Sequence, residues 1–228
     1  MKKKLILSLF TVLVVFVIAV VVYFAYFKVD AKELINKNVS EMDKVCFTAH
    51  NGLSQVKLIS GTREDPYLLN GKSENCKPFA LIIFRTNQAG VQAPTFVASI
   101  NDKSYNGIME ANPYDNTFVV DLEQEVNDDA TINVKITIND NTYNYDLINT
   151  SADWLVKAEQ AKDIAIEYFL DKIKDCSSYK GVDAELFVRI LSDNSGNFDK
   201  FFYHITLNKT DGEVCSIVID TNTGDIIK

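Results

Sequence analysis

The residues that serve enzymes and metal sites are scarce or badly spaced in this 228-residue chain. There are two histidines, His50 and His204, and a lone histidine on a strand is usually a packed or surface residue rather than a general base. Four cysteines fall at 46, 76, 176 and 215, with no C-x-x-C pair. Cys46 and His50 have ligand-like spacing, but zinc sites need tight pairs and no second pair accompanies them. There is no G-x-S-x-G elbow, no H-E-x-x-H and no phosphate-cradling G-x-x-x-x-G-K-[ST]. The expected sets of catalytic, cofactor-binding and metal residues are therefore empty, and the chain is read as a non-enzyme without cofactor.

Positive charge is also short. Lys and Arg total 23 against 31 Asp and Glu, for a net charge of −8. No basic stripe exists to release counterions from a phosphate backbone, which excludes nucleic acid as a partner. Asp193, Ser195, Asn197 and Asp199 alternate like calcium ligands, yet the acidic end position is missing and the glycine is displaced, so this stretch reads as a polar turn. Asn38, Asn149 and Asn208 head N-x-Ser/Thr sequons, relevant only where secreted chains are glycosylated.

One long apolar run is present, residues 5–27. Its 23 residues exceed the roughly 20 that a helix needs to cross a bilayer core. Lys2, Lys3 and Lys4 precede it and predict a cytoplasmic N-terminus, with the remainder exported. The expectation is a single-pass cell-membrane protein: a tail at 1–4, a transmembrane helix at 5–27 and extracellular domains beyond. A cleaved signal peptide is the alternative, with Val29-Asp30-Ala31 as cleavage site, although the run is long for one.

Residues 28–44 read as a stalk. From Val45 to Asn149, short apolar runs are punctuated by Gly, Asn, Asp and Pro, the signature of strands and turns. Strands are expected at 45–49, 55–60, 78–85, 95–100, 104–110, 117–122, 130–138 and 142–148. In the clearest hairpin, Ile132, Val134, Ile136 and Ile138 alternate with polar neighbours, and Tyr143, Tyr145 and Leu147 alternate back. Many short strands without an amphipathic helix predict an antiparallel β-sandwich at 45–149. The stretch from Glu64-Asp65-Pro66 to Asn70-Gly71 reads as one long loop.

At Thr150 the period turns helical. Thr150 and Asp153 have capping-box spacing, and Trp154, Ala158, Ala161, Ala165, Tyr168 and Phe169 form one apolar face. Three strands follow, at 184–191, 200–207 and 213–220. Residues 150–228 are thus expected to form an α+β module, one helix on an antiparallel meander. Three disulfide pairings are open to the cysteines. Cys46 with Cys76 and Cys176 with Cys215 are preferred, because each then closes a loop inside one domain.

KAEQAKDIAIEYF, from Lys157 to Phe169, and VCSIVIDTNTGDIIK, from Val214 to Lys228, resemble the helix and the closing strand and turn of PepSY domains. The motif positions are Ile219, Asp220, Thr223, Gly224, Ile226 and Ile227. Gly224 permits a left-handed turn and Asp220 can accept from its amides. The layout as a whole resembles small membrane-anchored PepSY-type envelope proteins of Gram-positive bacteria. The resemblance implies binding or regulation without catalytic residues, the partner being an envelope protein; the alternative it implies is restraint of a separate peptidase.

Overall fold

In the first strand, β1 (Val39–His50), Phe47 faces one hydrophobic core while Met42 and Cys46 face another. The computed structural model describes residues 13–18, 30–52, 54–115, 117–178, 180–193 and 200–227. β1 turns at Asn51 into β2 (Ser54–Glu64), which pairs antiparallel with β3 (Cys76–Thr86). A hairpin of β4 (Thr95–Ile100) and β5 (Lys103–Ile108) follows, then β6 (Glu110–Ala111) and β7 (Thr117–Leu122). β8 (Ile132–Ile138) and β9 (Asn141–Asn149) form the next hairpin.

These strands close on themselves. The pairing runs β1, β2, β3, β7 and β6, passes through Met109 into β5, and continues through β4, β8 and β9 back to β1. Every pair is antiparallel, and the inward positions form one core that includes Phe47, Leu58, Ile82, Phe84 and Phe96. All four alternating isoleucine and valine side chains of β8 are buried there, each contributing about 1.5–3 kcal/mol. A barrel abolishes the free edges that a sandwich leaves open.

The second core lies outside the barrel. Helix α1 (Ala31–Asn36), capped by Asp30 Oδ1 on the amide of Lys32, buries Ala31 and Ile35 in it. Of residues 28–44, expected as a stalk, those described, 30–44, thus supply a packed helix and the start of β1. A 3-10 turn (Thr150–Asp153) capped by Asn149 leads to α2 (Ala158–Tyr168) and α3 (Leu170–Asp175). Trp154 is extended and Val156 lies in a bend, both buried, with the Val156 amide bonded to the Thr221 carbonyl, so the helix begins only at Ala158. After the small hairpin of β10 (Ser177–Ser178) and β11 (Gly181–Val182) comes the meander: β12 (Ala184–Ser192), β13 (Phe201–Lys209), β14 (Val214–Asp220) and β15 (Ile226–Ile227).

Two expectations are corrected. The chain is not a sandwich followed by a separate α+β module: β12 runs parallel to β1 from Val39↔Leu186 to Met42↔Val188, so thirteen strands join in one sheet. Sequence pattern signalled the longer strands but not β10, β11, β15 or the separate β6, nor that β1 is shared. The expected membrane-spanning helix falls outside the described residues except for 13–18. Among the described residues no helix is long and apolar enough to cross a membrane.

Candidate functional site

The edge of β1 that faces away from β2 changes partner midway. Val39 to Met42 pair with β12, whereas Phe47 and Thr48 pair with β9. Between them the sheet forks. The β1–β2 register slips between Asp43 and Val45, and opposite the slip stands Gly61, where a Cβ would lie 1.9 Å from the Met42 carbonyl oxygen. Only glycine fits such an approach. Beyond Val188 the parallel ladder ends, and Asp43 Oδ2 accepts from the Ile190 amide at 2.7 Å. Burial pushes the Asp43 carboxyl up to about 7 against the pull of that amide.

Past the fork, β12 crosses the outer face of the barrel and leaves a cleft. Side chains alternate along each strand, so Lys57 and Ile59 of β2, Leu81, Ile83 and Arg85 of β3, and Val119 of β7 all face outward into it. Ile190, Leu191 and Ser192 form the opposite wall around a cavity of 230 Å³. Its floor is aliphatic, and Gln55, Asn112, Asp115, Thr117 and Ser192 stand around it with Lys57 and Arg85. Lys57 Nζ donates to the Ser192 hydroxyl at 2.9 Å, bridging the two walls, and among the described residues Lys57 makes no ion pair. Burial lowers the Lys57 pKa, and Arg85 beside it adds to the effect. Arg85 Nη2 stands 3.9 Å from Asp115 Oδ2, while Asp115 Oδ1 accepts from the amide and hydroxyl of Thr117.

Arg85, Asn112, Asp115 and Thr117 are shared with a second, larger hollow of 960 Å³. Its walls are the loop from Thr86 to Val91 and the turn carrying Tyr114, whose ring is 95% exposed. The two hollows form one groove, aliphatic and cationic at the closed end and rich in amides at the open end.

None of the residues singled out from sequence lines this groove. Cys46 is fully buried under the helices, and the Ser151 hydroxyl accepts from its amide. Cys76 is exposed at the start of β3. Cys46 pairs with Ile59 of β2 whereas Cys76 pairs with Glu64, five residues further along, or roughly 17 Å. A disulfide tolerates a Cα separation of less than about 7 Å, so this bond is excluded by register. Cys176 ends α3 with its thiol against the Lys172 and Ile173 carbonyls, and Cys215 faces Glu213 Oε1 at 3.5 Å. All four cysteines are free thiols, correcting the expected disulfides.

His50 ends β1 in an exposed position, and His204 lies mid-strand, its pKa lowered by burial and by Arg189. Ser195, Asn197 and Asp199 fall outside the described residues. No group of three His, Cys, Asp or Glu side chains that could hold a metal occurs among the described residues. At the chain end, Asp220 Oδ1 accepts from the amides of Asn222 and Thr223, Gly224 adopts φ +79°, and buried Ile219 pairs with Ile226. That turn braces Val156 at the head of α2.

Sequence reasoning missed Asp43, Lys57, Arg85 and Glu185. The one signal open to it was a charged residue at an alternating position in an otherwise apolar strand. Glu185 is fully buried in β12 and accepts from the amides of Asn70 and Gly71 and from the Ser40 hydroxyl, at 2.8 to 2.9 Å. It thereby ties down the loop between β2 and β3. No family model matches this chain, and no curated protein or solved structure does either.

Proposed function

We propose that this protein is a non-catalytic binding protein of the cell envelope and that the groove at the fork is its recognition surface. The observation that carries this reading is the cleft itself: an aliphatic floor with a half-buried lysine held by a neutral hydroxyl, opening into an amide-rich channel. An apolar surface with hydrogen-bonding and charged groups placed beside it is a usual form of binding site. The PepSY-like segment at the chain end supports an envelope role and a binding rather than a chemical task. The same resemblance supports a second reading, restraint of a separate peptidase.

A photo-crosslinking residue placed at Leu191, on the cleft wall, is compared in cells with one at Ile148, which is exposed on β9 away from the cleft. The binding reading requires a discrete adduct from position 191 that is missing from position 148. Equal adducts from both, or none from either, remove it. For the second reading, the purified protein is added to an envelope peptidase fraction, and unchanged proteolysis removes inhibition.

A further inference from the structure

We infer that the groove takes the C-terminal end of a peptide whose last side chain is apolar, with the terminal carboxylate on Lys57 and the aliphatic side chain on the floor below it. This rests on the binding reading above. Three observations combine. Lys57 donates to the neutral hydroxyl of Ser192 and, among the described residues, makes no ion pair, so an incoming anion meets no competing carboxylate bonded to it. With Arg85 next along the groove, 3.9 Å from Asp115, the described lining of the closed end carries two basic side chains against one acidic one in an acidic protein. A carboxylate adds to this ammonium a charge–charge attraction that the uncharged Ser192 hydroxyl cannot supply.

Ile59, Leu81, Ile83, Val119 and Leu191 supply the apolar surface around that cation. The cavity there is 230 Å³ and ends at the barrel wall, too short for a long acyl chain. The continuation past Arg85, which also touches Val91, Tyr114 and Phe118, is dominated by Asn87, Gln88, Asn112 and loop main chain. Such groups hydrogen-bond the backbone of an extended peptide and offer nothing to a hydrocarbon. Peptide is therefore favoured over fatty acid, although both share the carboxylate-on-apolar-tail chemistry.

The test is fluorescence anisotropy with the full-length protein and a dye-labelled six-residue peptide ending in leucine. Three further probes are the same peptide as its C-terminal amide, a version ending in aspartate, and decanoate as competitor. Expected is saturable binding of the leucine free acid, at least tenfold weaker binding of the amide and of the aspartate peptide, and no displacement by decanoate. Lys57→Met should weaken binding at least tenfold with the thermal midpoint retained. Leu191→Ser, at a half-exposed wall position, should weaken it severalfold and serves where Lys57→Met fails to fold. Equal binding of acid and amide by the natural protein overturns the inference without any variant, as does displacement by decanoate. Absence of binding by every peptide, alongside a cleft-specific adduct from position 191 in cells, overturns the inference and leaves the binding reading standing.

Discussion

The carboxylate of Asp43 accepts the main-chain amide of Ile190 at 2.7 Å at the point where β1 and β12 part. A backbone donor that loses its ladder partner at a fork must be satisfied by another group, and here a side chain serves. The same burial that shapes this bond holds the Asp43 carboxyl near pH 7 rather than 3.8. A carboxyl with a raised folded pKa binds more protons in the folded state between these two values. Its contribution to stability is therefore fully present below about pH 4 and is lost as pH rises through 7. Asp43→Asn keeps an acceptor for Ile190 and removes the ionisation. The variant should match the natural protein near pH 4 and exceed it at pH 8 by a few kcal/mol, on the order of 1.4 kcal/mol per pKa unit. Urea unfolding at both pH values measures this, and an equal deficit of the variant at both refutes it.

Glu185 anchors the loop between β2 and β3 through three bonds. Glu185→Ala strands the buried Gly71 amide and Ser40 hydroxyl together with the part-buried Asn70 amide and should cost about 3 kcal/mol, since an orphaned buried donor costs about 1–3 kcal/mol. Glu185→Gln retains an acceptor and should cost less. Hydrogen exchange at Asn70 and Gly71 should accelerate selectively in the alanine variant. Uniform acceleration over the sheet would show that the loop is not held separately.

Gly61→Ala places a methyl 1.9 Å from the Met42 carbonyl oxygen and 3.0 Å from Asp43 Cα, both main-chain atoms in the middle of a sheet. Neither can yield without breaking the β1–β2 ladder. The variant should lose more stability than the 1–3 kcal/mol typical of an overpacked core. Thermal melting against Gly90→Ala supplies the contrast: that glycine has φ +72° but open space around it. Similar losses at the two positions would count against the close approach.

The four free thiols should react in a set order. Cys76 is exposed, Cys176 and Cys215 are half-buried, and Cys46 is fully enclosed with its thiol pushed up to about 12. Alkylation at pH 8 should mark Cys76 first and Cys46 only on unfolding, because the thiolate is the nucleophile. Peptide mass mapping over time reads the order. Early labelling of Cys46 would mean that the helical layer opens readily.

Local pattern in this sequence determined a good deal. Alternation from Ile132 to Ile138 and back through Tyr145 and Leu147 places one face of a hairpin in a core, since side chains on a strand alternate by two. Asp220, Thr223 and Gly224 determined a turn, because amide-accepting carboxylates and left-handed glycines act within a few residues. The helical period also announced a helix, but not that Trp154 and Val156 would stay outside it, the latter bonded to the Thr221 carbonyl.

Tertiary structure decided the rest. Whether strands close into a barrel or stack as a sandwich depends on which distant edges meet, and β1 shared between β9 and β12 has no local signature. The β1–β2–β3 register, not the spacing of the cysteines, separates Cys46 from Cys76. Lys57, Arg85 and Leu191 lie far apart in the chain and face one cleft only because β12 leaves β1 at Asp43. Strand period and turn chemistry are written within a few residues of one another, whereas pairing and divergence are settled by burial over the whole sheet.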